Sequence, residues 1–456
     1  MNSLTLPLLA AMALLTNTEA TGQSLAIATF RVDATPPLGS PLCDGGVAPA
    51  KKIVDPLSAR GIILLTDKSP IVLCAVDWVG IGNSGYDEWR RALAEAAGTD
   101  IDRVAVHTVH QHDTPGCDFL AEELLEERGI GGAMFHVDFA RDTIARISEA
   151  VRSAIEEPQQ VTHLGIGKAK VEKVASNRRV LGPDGKVKHV RYSSCRDEEA
   201  RAAPEGVVDP YVRNLSFWNE DQPIASITYY ATHPQSFYGR GAVSTDFVGM
   251  ARAIREATLP GVFHVHFNGA GGNVAAGKYN DGSPVNRLIL ARRLVDGMES
   301  AWDATVKVPI TANDVGWQVL PVALPLRDRL AAGEEELLQT LDNPEARTGE
   351  RIRAARELVW ARRCKEGHKI ELTCLRLGSA YIVHMPGELF VEYQLAAQEM
   401  LPDKTVCMAA YGDYGAGYIG TEISYSQGGY ETGIASRVAP EVEDVLMSAL
   451  RDLLRK

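Results

Sequence analysis

The stretch from residue 224 to residue 302 decides the class of fold. IASITYYA (224–231) and VFHVHF (262–267) are short apolar runs, whereas DFVGMARAIREA (246–257) and PVNRLILARRLVDGMESAW (284–302) are amphipathic runs long enough for helices. Strands that alternate with helices in this way indicate an α/β protein.

The same alternation extends over the rest of the chain. Further strands are predicted at 61–66, 71–76, 104–109, 370–377, 381–384 and 405–410, and further helices at 86–97, 138–156, 387–400 and 440–454. No internal repeat is evident in the sequence. We therefore predict an α/β sandwich in which a mostly parallel or mixed sheet is covered by helices, with the site at the carboxyl ends of the strands.

Composition limits the class of function and the organisation of the chain. A net charge of −12 over 456 residues argues against a nucleic-acid binder, and no stretch after the N-terminus is long and apolar enough to span a bilayer. We expect one domain over residues 23–456, with a charged helical insertion near 326–369 that presents a solvated face. The odd count of seven cysteines leaves at least one thiol unpaired, and the pairing of the others stays open.

The N-terminus has the pattern of a signal peptide. Residues 4–15 are almost wholly apolar, and small residues follow near position 20. We therefore predict a signal peptide at residues 1–22 and a secreted or periplasmic protein. A frayed start before the first strand is the alternative, since no Lys or Arg precedes the apolar run.

Polar motifs follow five of the predicted strands. They are HQHDTPG (110–116), THP (232–234), NGAGGN (268–273), PGE (386–388) and YGDYGAGY (411–418). Ligands of open α/β sheets bind beyond the carboxyl ends of the strands, so we expect these motifs to form one shared site.

His110 and His112 suggest that this site binds a metal. In an extended backbone two residues at this spacing point the same way, and two imidazoles with a carboxylate suit Zn²⁺. The spacing alone is a weak signal, because His264 and His266 offer it as well. A buried and hydrogen-bonded histidine is the alternative for each of them.

The five motifs, in this order, resemble those of the neutral/alkaline non-lysosomal ceramidases. The resemblance runs from ATFRVD (28–33) to GYIGTEISYSQGGYE (417–431) and so covers nearly the whole chain. It implies a zinc-dependent hydrolase of an N-acyl amide bond, with ceramide or a related amide or ester as substrate.

The resemblance also implies a role for individual residues. The implied zinc ligands are His110, His233, Glu388 and Tyr418. The residues implied to face the substrate are His112, Arg178 and Tyr430. Asp246, which opens the helix after His233, is a candidate to orient a zinc ligand. Without the resemblance, Glu388 is explained as a carboxylate in the first turn of a helix, the tyrosines as loop aromatics and Arg178 as the partner of a surface acid.

Two departures from the family pattern keep the substrate open. Ala275 stands where the family has a serine important for amide cleavage, so either Asn273, Lys278 or Tyr279 replaces that hydroxyl or the substrate differs. The family's C-terminal immunoglobulin-like domain has no counterpart in this chain. The alternative function is a non-catalytic, metal-containing protein that binds a lipid or a glycan. Peripheral contact with a membrane is compatible with either function.

Overall fold

The computed structural model describes residues 24–455, so the predicted signal peptide lies outside the described residues. Three large sheets in this range are built from three consecutive segments of chain. The first contains β1 (Leu25–Asp33), β2 (Ser58–Leu65), β3 (Ile71–Val76), β4 (Val104–Thr108) and β5 (Gln159–Val161). The second contains β6 (His163–Lys170), β7 (Tyr211–Asn219), β8 (Gln222–Tyr230), β9 (Phe263–Asn268) and β10 (Val306–Pro309). The third contains β11 (Val315–Val322), β12 (Ile370–Leu377), β13 (Ala380–His384) and β14 (Thr405–Ala409).

Helices flank these sheets. They are α1 (Ser84–Ala97), α2 (Phe119–Glu126), α3 (Val137–Glu156), α4 (Glu198–Ala202), α5 (Asp246–Thr258), α6 (Val285–Asp303), α7 (Asp328–Ala332), α8 (Glu334–Asp342), α9 (Thr348–Lys365), α10 (Val391–Met400), α11 (Glu422–Gln427) and α12 (Val442–Leu454). Between residues 24 and 455, no helix combines the length and the apolar character needed to cross a membrane.

The first four strands of each sheet, in chain order, share one topology, and the first two sheets add a fifth strand at one edge. The strand orders are β4-β3-β2-β1-β5, β9-β8-β7-β6-β10 and β14-β13-β12-β11. Counted along the chain, the first strand of each sheet pairs with the second, and the second with the third, in antiparallel orientation. The third and fourth strands are parallel. A helix crosses over between the parallel strands in each case, namely α1, α5 or α10. The backbone therefore repeats three times, although the sequence does not, because a β-sheet requires a pattern of burial rather than particular side chains.

The predicted mixed α/β architecture is confirmed, with one difference in detail. The sheet is divided into three, and most neighbouring strands are antiparallel because each sheet has a single parallel pair. The parallel pairs are β3 with β4, β8 with β9 and β13 with β14. The five polar motifs found in the sequence follow five of these six strands, all except β3.

The charged segment near 326–369 folds as α7, α8 and α9. The expected solvated face is present on α8, where Glu335, Glu336 and Gln339 are exposed, whereas α9 buries Ile352, Leu358 and Trp360 in the core. Glu357, which α9 also buries, is paired with Arg329 on α7 at 2.9 Å. Charge density in the sequence did not reveal which side of this helix is covered.

A buried ion pair joins the first repeat to the second. Both guanidinium Nη atoms of Arg252 on α5 donate to the carboxylate of Asp77, which follows β3, at 2.8 and 2.7 Å. The backbone N–H and the hydroxyl of Ser58 donate to the same carboxylate. Burial alone would raise the pKa of Asp77, but Arg252 dominates and lowers it to about 2.

We expect this pair to make the protein sensitive to strong acid. The pKa of Asp77 is lower in the folded state than in the unfolded chain, where an aspartate titrates near ~3.9, so its contribution is present above that pH and is lost as the pH falls through about 2. The free energy of unfolding should fall by about 2 kcal/mol between pH 5 and pH 2 from this group alone. Urea unfolding over this pH range measures the fall. A double variant Asp77→Asn/Arg252→Met with an equally steep pH dependence would contradict the assignment.

Candidate metal centre

The three sheets are tied together at the carboxyl ends of their parallel strands. The side-chain N–H of Asn268, at the end of β9, donates to the backbone carbonyl of Val109, and the backbone carbonyl of Asn268 accepts from the N–H of Ala410. The N–H of Thr108 donates to the carbonyl of Tyr411. These contacts bring the loops after β4, β9 and β14 to one place.

His110 lies two residues beyond β4 in a left-handed backbone conformation, with φ of 74°. Its Nδ1 is 2.5 Å from the carbonyl oxygen of Val79 and must donate to it. Nε2 therefore carries the lone pair, and this buried atom has no hydrogen-bond partner among the described residues. A histidine seldom adopts this backbone region, and such conformations are often found at functional sites.

His233 follows β8 and is oriented in the same way. Its Nδ1 lies 2.6 Å from the carbonyl oxygen of Gly271, in the glycine-rich turn after β9. Its Nε2 lies 2.9 Å from Oε2 of Glu388. Backbone carbonyls thus set the tautomer of both histidines.

Glu388 lies between the two imidazoles. Its Oε2 is 3.2 Å from Nε2 of His110, and its Oε1 accepts a hydrogen bond of 2.7 Å from the hydroxyl of Tyr414. The residue is not in a helix as predicted, because Glu388–Leu389 pairs with Tyr418–Ile419 as a short parallel strand and α10 begins only at Val391.

The donor atoms of His110, His233 and Glu388 fit a metal ion. One atom from each lies within 4.8 Å of the others, and all three residues are buried. Two nitrogen lone pairs facing one carboxylate oxygen repel unless a cation lies between them. Two histidines and a carboxylate are also a common set of ligands for divalent transition metals.

Tyr418 and Arg178 border this group. The hydroxyl of Tyr418 is 3.2 Å from Nε2 of His233 and accepts a hydrogen bond of 3.0 Å from Nη1 of Arg178. Burial raises the pKa of this hydroxyl well above its ordinary value. Burial alone would lower the pKa of Arg178, but Tyr418 and Glu431 raise it, so the guanidinium stays charged.

Aromatic rings lie between the buried site and the protein surface, and we call this side of the site its mouth. His112 is half-buried, with its ring 5.2 Å from that of His110 and in edge contact with the ring of Tyr238 at 4.8 Å. Burial and the neighbouring histidines lower the pKa of His112, so its imidazole is neutral. On the other side, Tyr430 packs against Tyr418 and against Tyr192. We call Tyr192, Tyr238 and Tyr430, which are all exposed, the aromatic rim.

Several predicted residues do not reach the group of metal-binding atoms. The side chain of Asn273 donates to Glu392 and accepts from the N–H of Val391, so it fastens the glycine-rich turn to α10. The carboxylate of Asp246 binds the N–H and the hydroxyl of Ser236, and thus fixes the loop after His233 rather than its ring.

The two other candidates to replace the missing serine are also engaged elsewhere. Lys278 donates to the carbonyl oxygens of Arg201 and Ala203, and the hydroxyl of Tyr279 donates to Glu205. Ala275 itself is buried in a short strand paired with Ser176–Asn177.

Sequence reasoning assigned no role to three residues that hold the site together. Tyr411 stacks on His110 at 4.5 Å between ring centroids, and Tyr414 holds the second oxygen of Glu388. Glu431 is fully buried and lies 3.3 Å from Nε of Arg178. Both tyrosines belong to a motif that was noted, but the spacing could not tell which of its tyrosines faces the histidines.

Gly272 allows Glu388 to approach the two histidines. A Cβ atom at Gly272 would overlap the carbonyl oxygen of Glu388, which belongs to the backbone and cannot rotate away. We therefore expect Gly272→Ala to lower the free energy of unfolding by about 1–3 kcal/mol and to reduce the amount of metal bound. Thermal unfolding and elemental mass spectrometry measure the two effects. Gly349→Ala is the control, because a Cβ at this helical position meets no neighbour; an equal loss in both variants would contradict the prediction.

The fold and the buried group define an α/β protein with a candidate metal centre at the junction of three sheets. A search of solved structures finds this fold in a ceramidase complexed with C2, with a TM-score of 0.69 and 16% sequence identity over 95% of this chain and 75% of that one. The neutral ceramidase from Pseudomonas aeruginosa matches with a TM-score of 0.68 at 16% identity, over 95% of this chain and 74% of that one. No family model matches the sequence, and a search of curated proteins finds no match. The resemblance seen in the motifs is therefore confirmed at the level of the fold, which is that of neutral ceramidase.

Proposed function

We propose that this protein is a zinc-dependent hydrolase that cleaves an N-acyl amide bond, as in ceramide or a related lipid amide. One observation carries the proposal: Nε2 of His110 and Nε2 of His233 converge on the same oxygen of Glu388, and no residue between 24 and 455 makes a hydrogen bond to Nε2 of His110. The ceramidase fold supports the choice of reaction.

His110, His233 and Glu388 would hold the zinc ion, with the hydroxyl of Tyr418 beside them. A zinc ion in such a site polarises a carbonyl group and makes hydroxide available near neutral pH. Nitrogen and oxygen donors of this kind suit Zn²⁺ better than Mg²⁺ or Ca²⁺, which prefer oxygen alone.

Arg178 is suited to stabilise negative charge on the scissile carbonyl oxygen. Its guanidinium is buried, permanently charged and held by Glu431, so it costs little reorganisation when charge develops beside it. Neutral His112 lies at the open side of the metal group and can accept a proton from the attacking water and return it to the leaving amine.

The aromatic rim would bind the apolar part of the substrate. Tyr192, Tyr238 and Tyr430 present ring faces and edges at the mouth, and Arg178 lies within 5.7 Å of the rings of Tyr192 and Tyr430. Rings at the entrance and a fixed cation inside match a molecule with an apolar chain and a polar amide.

Zinc content and amide hydrolysis test the proposal together. The purified protein should contain about one zinc ion per chain and release fatty acid from a short-chain ceramide or another N-acyl compound. His110→Ala should lose both properties, whereas His163→Ala, which changes a histidine at the start of β6, should keep both. Full zinc content and activity in His110→Ala would refute the scheme.

The second candidate is a non-catalytic lipid- or glycan-binding protein. It is favoured by Ala275, which supplies no hydroxyl, and by the engagement of Asn273, Lys278 and Tyr279 elsewhere. Hydrolysis that appears only in Ala275→Ser would support this candidate over the enzyme.

We also propose that the protein is exported. The support is the apolar stretch at residues 4–15 followed by small residues. Sequencing of the mature N-terminus tests this, with a start near residue 23 expected and a start at Met1 contradicting it.

A further inference from the structure

Each of the three sheets has a long connection between its first and second strands, counted along the chain. These connections are residues 34–57, 171–210 and 323–369. The second of them carries Arg178, which donates to the hydroxyl of Tyr418 in the candidate metal centre. The first and third carry Asp44 and Arg356, which meet on another side of the same centre.

Arg356 and Asp44 form a largely buried ion pair next to Tyr414. Nη1 of Arg356, on α9, lies 2.6 Å from Oδ2 of Asp44, and the two side chains are only 15% and 10% exposed. The guanidinium carbon of Arg356 lies over the ring of Tyr414, 5.0 Å from its centre. A guanidinium is permanently charged, and a cation is attracted to the face of an aromatic ring. The ion pair is therefore placed to hold this ring in position.

Tyr414 connects the ion pair to the candidate metal-binding atoms. Its hydroxyl donates to Oε1 of Glu388 at 2.7 Å, and its ring centre lies 5.6 Å from that of His110. The other oxygen, Oε2 of Glu388, is the one that faces Nε2 of His110 and Nε2 of His233. Tyr414 thus occupies one oxygen of the carboxylate and leaves the other free to bind a metal.

Two paired glycines leave the space that Asp44 and Tyr414 fill. Gly80 and Gly116 are partners in a short parallel ribbon. A Cβ atom at Gly80 would overlap the ring of Tyr414, and a Cβ atom at Gly116 would overlap Oδ1 of Asp44. The carbonyl of Val79, the residue before Gly80, orients one histidine of the candidate metal centre. The same ribbon therefore shapes the surroundings of two of the three residues that would hold the metal.

Arg437 is a second cation beside this segment, but its contacts differ. Its Nη1 donates to the backbone carbonyl of Gly415 at 2.8 Å and lies 3.5 Å from that of Tyr414. It therefore fixes the backbone of the segment, whereas Arg356 faces the ring.

We propose that Arg356 is a positioning residue of the metal centre. Anchored by Asp44, it holds the ring of Tyr414 so that the hydroxyl keeps Oε1 of Glu388 and the carboxylate presents Oε2 alone to the metal. Partners of this kind act by orienting a metal ligand. A carboxylate that offers one oxygen also leaves room at the metal for water or substrate. This inference rests on the proposed function, because it assigns a role within the same metal centre.

Metal affinity and cobalt spectroscopy of the full-length protein test the proposal. Competition with a chromophoric chelator measures zinc affinity, and the visible absorption of the cobalt-loaded protein reports the coordination geometry. Arg356→Met should bind zinc about 10- to 100-fold more weakly and should change the cobalt spectrum, because Glu388 is no longer held in one orientation. Arg356→Lys, which keeps a cation near the ring, should recover part of the affinity.

Two further variants separate positioning from stability. Arg356→Met leaves the carboxylate of Asp44 without its countercharge, so Asp44→Asn/Arg356→Met tests the same loss without an unpaired charge and should also bind zinc at least about tenfold more weakly. Arg351→Met is the matched control on the same helix. Arg351 is buried and donates to the carbonyls of Leu341 and Arg128, so its loss should lower the melting temperature but leave zinc affinity and the cobalt spectrum unchanged.

A double-mutant cycle tests whether Arg356 acts through Tyr414. In a Tyr414→Phe protein, which has no hydroxyl to position, Arg356→Met should weaken zinc binding little further. Losses that simply add would contradict this route.

Two other results would overturn the inference while the proposed function stands. They are zinc affinity at or above that of the wild type in both proteins that lack Arg356, or an equal loss in Arg351→Met, which would assign the effect to the stability of α9. A wild type that binds no zinc would refute the proposed function itself. The two failures are distinguishable, because the first requires a wild type that binds the metal.

Discussion

Glu388→Gln should weaken metal binding by more than about a hundredfold. Even the partners that orient metal ligands contribute about 10- to 100-fold to affinity, and this change removes the anionic ligand itself while keeping the shape of the side chain. The amide nitrogen would also place a donor where both imidazoles need a cation. Elemental mass spectrometry of the purified variant should find little zinc, and amide hydrolysis should fall with the metal.

The response of the melting temperature to added zinc distinguishes loss of a metal ligand from loss of the fold. Added zinc should raise the melting temperature of the wild type, because an ion that binds only the folded state stabilises it, and should not raise that of Glu388→Gln. Glu392→Gln is the control, since Glu392 lies four residues further along the chain, at the start of α10, and accepts a hydrogen bond from Asn273 rather than facing the histidines. A Glu388→Gln protein that still contains one zinc ion would show that the three residues are not the ligand set.

Arg252→Met should lower the free energy of unfolding by about 3–5 kcal/mol. The substitution leaves the carboxylate of Asp77 fully buried without its countercharge, which costs far more than the net contribution of the intact pair. Denaturation by urea, monitored by circular dichroism, measures the change. The double variant Asp77→Asn/Arg252→Met should recover much of the loss, because it removes the unpaired charge.

An exposed pair provides the comparison. Arg292 on α6 lies 2.8 Å from Asp296, but its side chain is largely exposed, so Arg292→Met should change the free energy of unfolding by less than about 0.5 kcal/mol. Similar losses in Arg252→Met and Arg292→Met would mean that burial of Asp77 does not control its contribution. The amide of Gln111, next to His110, donates to Asp77, so the loss of Arg252 should also disturb the metal centre.

The local elements were largely predictable. The predicted strands at 71–76 and 370–377 agree with β3 and β12 at both ends, and the helix predicted at 246–257 is one residue shorter than α5. Strands β1, β6, β7 and β11 were not predicted. Each of them has a partly exposed face or mixed composition, so its apolar residues do not form the continuous run used to recognise buried strands.

The sequence also indicated the residues of the candidate metal centre, but only through the order of five motifs. His110, His233 and Glu388 meet as expected at the carboxyl ends of parallel strands. The motif around His264 and His266 offered equally good spacing, yet these residues lie within β9, with Thr228 hydrogen-bonded to His266. Spacing along one strand cannot distinguish a residue inside a sheet from one just beyond its end.

The sequence by itself determined the alternation of strands and helices and the residue types gathered at the strand ends, because burial patterns and turn residues act over a few positions. Only the tertiary structure decided that three sheets of one topology meet at Asn268, that backbone carbonyls of Val79 and Gly271 set the tautomers of the two histidines, and that Glu431 holds Arg178. Each of these contacts joins two residues that lie between 31 and 253 positions apart in the sequence. Such contacts depend on how the sheets pack, which no local pattern encodes.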